Sequence, residues 1–186
     1  MLKIGIPIFT DVEELDFIGP FEVLNSVNKI KPNSLKTILI AETLDPITCY
    51  NGLKVVPDTT LDDCPPLDIL LIPGGQGRKV YAKKDNFKEF IHSQSKNTQL
   101  LTSVCTGAFF LAEAGFLKGL KATTYHTALE ELAAFDVQVL QQKYVHDGNI
   151  ITAAGVSSGI VMAFYLVGHL FGKEIEQQCR EWIEFD

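Results

Sequence analysis

Three short stretches contain the residue types that could carry out chemistry. Cys105 directly follows an apolar run of strand length, and so does the pair Gly74-Gly75. Asp16 lies shortly after a third such run. A cysteine supplies a nucleophile, glycines let backbone N–H groups approach a ligand, and a carboxyl group can move protons. These stretches are therefore the first candidates for an active site.

Cys105 passes from its strand into a helix with no intervening loop, as in a nucleophile elbow, where the central side chain is lifted above the sheet. The sulfur would then face the free amides of the helix beginning at Thr106, which favour a thiolate. We therefore predict that Cys105 is the most reactive of the four cysteines. The alternative is a buried structural cysteine, which is the commoner fate of a lone cysteine.

Gly74, Gly75 and Asp16 each have two interpretations. The glycine amides could form an oxyanion hole together with the amide of Thr106, or the glycines could make a plain tight turn. Asp16 could be the N-cap of the first helix. Flanked by Leu15 and Phe17, it could instead be partly desolvated and serve in acid–base chemistry.

The elements that must position these residues alternate along the chain. Strands are predicted at residues 4–9, 35–41, 54–56, 68–72, 99–104, 121–124, 143–145 and 149–152. Helices are predicted at residues 20–30, 85–95, 106–114, 173–182 and from Ser157 or Ser158 to 171, and a short one opens at the capping box Thr127-x-x-Glu130. Near-continuous apolar strands alternating with helices indicate an α/β protein, a doubly wound three-layer sandwich of flavodoxin-like type with a mainly parallel sheet. Its ligand site lies beyond the carboxyl ends of the strands, where the candidate residues are.

Length and composition narrow the class further. A chain of 186 residues without repeats or linkers indicates one domain, residues 1–186. The net charge of −7 and the lack of a basic cluster argue against nucleic acid. The longest apolar run, residues 160–167, is too short for a bilayer, and the N-terminus does not resemble a secretory signal. We therefore expect a cytoplasmic protein without a membrane partner.

The four cysteines give no sign of a metal or disulfide framework. They are far apart, with no CxxC pair and no histidine at ligand spacing. A chain of this length also needs no covalent staple. We therefore expect no metal and no disulfide.

The chain resembles the ThiJ/PfpI superfamily, with its glutamine-amidotransferase-like fold, and within it the isonitrile hydratase branch. The matching stretches occur in order along nearly the whole chain: Leu15-Asp16-x-x-Gly19-Pro20-x-Glu22-Val23-Leu24, Asp63-Cys64-Pro65-Pro66-Leu67-Asp68, Ile72-Pro73-Gly74-Gly75, Ser103-Val104-Cys105-Thr106-Gly107-Ala108, Ala122-Thr123-Thr124 and Asp147-Gly148-Asn149. The branch is indicated by Asp16, where many members have Glu, and by Thr106 after the cysteine. Thr106 occupies the place of the histidine in members assigned as proteases, so a Cys–His protease is not expected.

The resemblance implies hydration of an isocyanide to an N-substituted formamide without a cofactor. Cys105 would form a thioimidate and Asp16 would move protons, while Thr106 and Gly75 would orient the adduct. Tyr125 and Val156 are expected to shape the pocket for this small-molecule substrate.

The chain departs from the branch pattern at two places. Tyr125 stands where the branch has a histidine, and His126 one place later would point to the opposite face of a strand. The stretch Ser158-Gly159-Ile160-Val161 also lacks the aspartate that the branch tends to carry. Because of the first departure, histidine-assisted chemistry on Cys105 is not expected. The second departure affects the local packing or the substrate pocket.

Two other functions remain open. Cys105 could be an oxidisable cysteine of a redox-responsive or protective protein, with Asp16 as its hydrogen-bond partner. A ligand-sensing domain of a transcriptional regulator is less favoured, because no helix-turn-helix half follows by Asp186.

The resemblance also implies a homodimer. Leu15, Phe17 and Ile18 form an apolar cluster in the predicted loop at residues 10–19, where a polar turn is expected. A twofold contact there would border the active site. Alternatively, these side chains fold back onto their own core.

Overall fold

A seven-stranded sheet forms the centre of the computed structural model, which describes residues 1–185. In spatial order its strands are β10 (Tyr144–Asp147), β11 (Ile150–Ala153), β7 (Leu100–Val104), β6 (Ile69–Ile72), β1 (Leu2–Pro7), β2 (Leu35–Ala41) and β5 (Thr59–Thr60). Every neighbouring pair is parallel except β10 and β11, which form an antiparallel hairpin. All residues of β6 and β7 are buried, as expected for strands covered on both faces.

Helices cover both faces of the sheet. One layer contains α1 (Glu14–Ile30), α6 (Ser158–Phe171) and α7 (Lys173–Trp182), which pack against one another. The other layer contains α2 (Arg78–Tyr81), α3 (Asp85–Ser95), α4 (Ala108–Glu113) and α5 (Leu129–Ala133). Two small sheets lie outside the central one: β3 (Ile47–Thr48) pairs with β4 (Lys54–Val55), and β8 (Lys121–Ala122) pairs with β9 (Gln138–Val139). The predicted three-layer, mainly parallel α/β architecture is confirmed.

The first helix begins earlier than the sequence predicts. Helix α1 starts at Glu14, and Pro20 is its seventh residue rather than its first. Pro20 has no N–H, so it cannot donate to the carbonyl of Asp16 four residues before it. The N-cap position belongs to Glu13, which makes no side-chain cap. The N-cap interpretation of Asp16 is therefore wrong, because Asp16 is the third residue inside the helix.

Several other element ends differ from the prediction. The helix predicted at residues 106–114 begins as a 3₁₀ turn, Cys105–Gly107, and continues as α4. The strand predicted at residues 121–124 ends at Ala122. Thr127 lies in a second 3₁₀ turn, and α5 begins at Leu129 without a side-chain cap, so the predicted capping box is wrong. Ser157 occupies the N-cap position of α6, but its side chain makes no cap hydrogen bond.

No helix within residues 1–185 combines the length and the apolar character that crossing a membrane requires.

Candidate active site

Cys105 is held in a strained elbow at the carboxyl end of β7. Its φ is +55°, a conformation that non-glycine residues adopt rarely and at a cost of about 1–3 kcal/mol. Hydrogen bonds hold both sides of the residue. Its N–H donates to the Ala154 carbonyl at 2.9 Å, and the Thr124 hydroxyl donates to its carbonyl at 2.8 Å. The predicted elbow conformation is thus present, and the side chain is only 6% exposed.

Two glycines let the neighbouring strand end approach this elbow. A Cβ at Gly107 would collide with the carbonyl oxygen of Ile72 at the end of β6. A Cβ at Gly74 would lie 2.5 Å from the Thr106 nitrogen, closer than real Cβ atoms come. These positions therefore require glycine because the backbones of two adjacent loops touch there.

Asp16 lies directly beneath this contact and is fully buried. Its Oδ2 accepts a 2.9 Å hydrogen bond from the Gly74 N–H. Burial raises the pKa of Asp16 from its ordinary 3.8 to about 7, since desolvation outweighs the Gly74 hydrogen bond, and the charge of Glu13 raises it further. The carboxyl group is therefore about half protonated near neutral pH.

Asp16 and Cys105 shift each other's pKa, and we call these two residues the acid–thiol pair. The thiol lowers the pKa of the carboxyl group, and the carboxylate raises that of the thiol. Asp16 Oδ1 nevertheless has no hydrogen bond of regular geometry within residues 1–185. The structure therefore brings these two predicted residues together, and the Val156 amide also lowers the pKa of the carboxyl group.

The pKa of Cys105 is raised to about 12, first by burial and then by the negative charge of Asp16. The amides of Thr106 and Val156 act in the opposite direction but do not compensate. The pKa values of Cys49 and Cys64 are raised to only about 11, in both cases mainly by burial. The predicted thiolate, stabilised by the helix N-terminus, is therefore wrong. At neutral pH the reactivity of Cys105 must come from a neighbour that removes its proton.

The glycine amides do not form the predicted oxyanion hole. The Gly74 N–H donates to Asp16, and the Gly75 N–H donates to Thr106 Oγ1 at 3.1 Å, so both are already in use. The amides that face the sulfur belong to Thr106 and Val156. Val156 has a φ of +40°, a second strained residue beside the elbow. Gly74 thus positions Asp16, and Thr106 holds the glycine loop.

A cavity of about 430 Å³ opens over the elbow, and we call it the site cavity. This volume lies within the range of about 300–1,000 Å³ that is usual for small-molecule sites. The predicted residues that line it are Gly75, Cys105, Thr106, Tyr125 and Val156. Asp16 and Gly74 lie outside this lining, buried behind it.

Tyr125 forms one wall of the site cavity and packs against Gly155, where a Cβ would collide with its ring. His126 is exposed, begins a 3₁₀ turn and is not part of the lining. His126 therefore does not take the place that Tyr125 occupies in the lining of the site cavity.

Sequence reasoning missed eight lining residues: Glu13, Tyr50, Gln76, Arg78, Lys79, Thr127, Ala128 and Glu131. The first of these adjoins the predicted stretch around Asp16, and Arg78 follows the glycine turn by three residues, so proximity along the chain could have suggested both. Tyr50, in the loop after β3, and Glu131, in α5, come from distant parts of the chain and left no such signal.

The loop between β3 and β4 reaches the site through hydrogen bonds to the start of α1. Asn51 donates from its backbone and from its side chain to the Glu14 carboxylate, both at 2.8 Å. The Tyr50 N–H donates to the Val12 carbonyl at 2.9 Å. These bonds hold Tyr50 at the mouth of the site cavity.

A larger hollow, about 510 Å³, lies between α1 and β2, away from the elbow. Two of its three amide side chains, Asn25 and Asn28, are already hydrogen-bonded to neighbouring groups of the protein. Within residues 1–185 no cluster of three His, Cys, Asp or Glu residues could hold a metal ion. The chemistry is therefore concentrated at the elbow.

This fold with a cysteine at a strand-to-helix elbow defines a known class. Residues 2–168 match the sequence profile of the DJ-1/PfpI family, also written ThiJ/PfpI, and the chain belongs to this family. It is 36% identical over 187 residues to the isonitrile hydratase of Pseudomonas putida, covering 99% of the chain and 78% of that relative.

Solved structures agree with this assignment. A ThiJ/PfpI family protein from Pseudomonas syringae superposes with a TM-score of 0.93 at 30% identity, over 100% of this chain and 75% of that one. Drosophila melanogaster DJ-1beta superposes with a TM-score of 0.87 at 21% identity, over 100% and 98% of the two chains. The second comparison bears on the fold alone. The family predicted from the sequence motifs is confirmed.

Proposed function

We propose that the protein hydrates isocyanides, R–N≡C, to N-substituted formamides, R–NH–CHO. The observation that carries this proposal is the acid–thiol pair, a buried carboxyl group and a protonated thiol beside a small-molecule cavity. The similarity to an isonitrile hydratase supports the same reaction. The net reaction adds one water molecule and needs neither an oxidant nor a cofactor.

The protonation state of the pair suits this reaction. Between pH values of about 7 and 12 the two groups together hold one proton, which resides on the sulfur while Asp16 is ionised. The terminal carbon of an isocyanide must gain both a nucleophile and a hydrogen. A permanent thiolate would supply only the nucleophile, whereas a thiol beside a carboxylate supplies both the nucleophile and the hydrogen.

In the first step the S–H bond of Cys105 adds across the terminal carbon. Asp16 accepts the thiol proton as the sulfur forms a bond to the carbon, and it then donates that proton to the same carbon. The product is a thioimidate, R–N=CH–S–Cys105, and Asp16 is again a carboxylate. Asp16 Oδ1, which has no hydrogen bond of regular geometry within residues 1–185, is the oxygen assigned to this transfer.

In the second step water adds to the C=N bond of the thioimidate. Asp16 accepts a proton from water as the water oxygen bonds to the carbon, and it passes that proton to the nitrogen. The tetrahedral intermediate, R–NH–CH(OH)–S–Cys105, then collapses: the C–S bond breaks, Asp16 transfers the hydroxyl proton to the sulfur, and R–NH–CHO leaves. The Thr106 and Val156 amides face the sulfur and are placed to stabilise negative charge that develops on it.

Two other activities fit less well. A Cys–His protease would need a histidine at the elbow, and Thr106 stands there with its hydroxyl engaged by Gly75. Redox sensing by Cys105 would need a thiolate for reaction with peroxide, and its high pKa disfavours one.

One assay separates the hydratase from the redox protein. The purified protein is incubated with a simple aliphatic isocyanide and, separately, with hydrogen peroxide. We expect catalytic release of the formamide, detected by chromatography, and slow oxidation of Cys105. Stoichiometric oxidation of Cys105 without formamide release would contradict the hydratase proposal and favour the redox function.

We also propose that the protein is a homodimer whose contact includes the start of α1. Phe17 cannot be part of such a contact, because it is 2% exposed and packs in its own core, so that part of the predicted cluster is wrong. Leu15 and Ile18 are each 38% exposed on the neighbouring face of the helix. A twofold contact through these two residues would brace the helix that carries Asp16.

A further inference from the structure

A second cavity lies next to the site cavity, and an ion pair and Lys79 lie between the two. This second cavity measures about 360 Å³ and, like the site cavity, is lined by Arg78, Lys79 and Glu131. Residues that line both cavities lie between them. The rest of the second cavity is lined by Phe109 and Phe135, by Ala82, and by the charged residues Lys83 and Glu113.

The ion pair is built as a fixed wall. The Arg78 guanidinium binds both carboxylate oxygens of Glu131, at 2.7 Å and 2.6 Å, which joins α2 to α5. The same guanidinium lies 3.9 Å from the centroid of the Phe109 ring. Bidentate pairing and stacking together fix the position of an arginine more firmly than a single contact. The Arg78 side chain is 11% exposed and that of Glu131 is 53% exposed.

We propose that the Arg78–Glu131 ion pair is a partition that limits how long a substrate side chain the site can bury. This inference rests on the proposed hydration of isocyanides, because it concerns the R group of that substrate. A short R group stays within the site cavity. A longer alkyl chain meets the ion pair and must turn toward the solvent, where additional methylene groups gain no burial.

Beyond the partition, the half-buried Phe135 offers an apolar surface to such a chain, whereas Phe109 is covered by the Arg78 guanidinium and becomes accessible only when Arg78 is removed. Phe109 and Phe135 pack edge to face with their centroids 6.0 Å apart. Opening the partition would nearly double the connected volume and would let the chain reach the Phe135 ring. Full burial of each additional methylene group is worth roughly a fourfold factor in binding.

The test is a series of n-alkyl isocyanides, from ethyl to octyl, with kcat/KM measured for each. In the wild type we expect kcat/KM to rise with chain length and then to reach a plateau. Glu131→Ala and Arg78→Ala each remove one half of the partition. In both variants the rise should continue past the wild-type plateau, to at least about a tenfold gain in the octyl-to-ethyl ratio, as expected for two or more additional buried methylenes.

Two control variants make the result specific. Glu131→Gln keeps the volume of the wall and should reach its plateau at the wild-type length. Glu130 is exposed, adjacent on the same helix and outside the lining of both cavities, so Glu130→Ala should also match the wild type. If Glu131→Ala and Arg78→Ala (the opening variants) both reach their plateau at the wild-type chain length, the partition proposal is overturned. An equal extension in Glu131→Gln would overturn it as well.

A second measurement separates failure of the partition from failure of the proposed function. The rate of Cys105 alkylation is measured with N-alkylmaleimides of increasing chain length, by peptide mapping. Fully buried Cys179 should stay unlabelled, which reports that each variant is folded. If no isocyanide is turned over, the hydratase proposal fails. The partition still stands if only the opening variants favour the longer maleimides, and it falls if all variants show the same length dependence.

Discussion

Burial of Asp16 should make the protein less stable as the pH rises. Its pKa is about 7 in the folded protein, against an ordinary value of 3.8, chiefly because the side chain is desolvated. Between these two pH values the folded state binds a proton that the unfolded state has released. The free energy of unfolding must therefore fall with rising pH over this window, and Asp16→Asn should abolish that part of the decrease.

The magnitude follows from the pKa shift. A shift of about 3 pH units corresponds to about 4 kcal/mol of unfolding free energy, which is the full effect above pH 7. An asparagine keeps a carbonyl oxygen that can accept the Gly74 N–H, but it cannot ionise. Between pH 5 and pH 8 the free energy of unfolding of the wild type should therefore fall by roughly 3 kcal/mol relative to that of Asp16→Asn.

The assay is urea unfolding followed by circular dichroism at several pH values from 5 to 8. The quantity of interest is the difference in unfolding free energy between the variant and the wild type at each pH. Asp62→Asn, at an exposed carboxyl group, is the matched control and should show little change in this difference. A difference for Asp16→Asn that stays constant across this range would refute the reasoning, because it would mean that Asp16 titrates alike in both states.

Three further predictions concern the site and its surroundings. The kcat/KM for isocyanide hydration should rise with pH around a midpoint of about 7, as Asp16 ionises, and then stay level. A profile that falls through pH 7 would contradict proton transfer from the Cys105 thiol to Asp16. Thr106→Val leaves the Gly75 N–H without its acceptor and should cost about 1–3 kcal/mol in urea unfolding, whereas Thr106→Ser should restore most of it; equal losses would exclude the hydroxyl as the cause. If the protein is the proposed homodimer, replacing Leu15 and Ile18 together by glutamate should give a monomer in light scattering, and a dimer that persists in this variant would exclude this surface.

Much of the fold could be predicted because its signals are local. The apolar strands β6 and β7 and the abrupt passage from β7 into Cys105 are visible in the sequence, and the structure has them where expected. The start of α1 was mispredicted because proline favours the first position of a helix, whereas Pro20 lies inside this one.

The electrostatics of the site could not be predicted in the same way. The helix N-terminus beside Cys105 indicates a lowered thiol pKa, but burial and the charge of Asp16 raise that pKa instead. These opposing effects depend on distances between segments nearly ninety residues apart. The glycine amides pose the same difficulty, because Gly74 and Gly75 already have acceptors that only the tertiary structure brings close.

The most direct test of the account is the rate of formamide formation by Cys105→Ser. Cys64→Ser is the matched control, because Cys64 also has a pKa raised by burial but lies outside the lining of the site cavity. If Cys105 forms the thioimidate, its serine variant should lose activity by a factor of at least about 10³, whereas the Cys64 variant should match the wild type. Formamide formation by Cys105→Ser at a rate near that of the wild type would contradict the account.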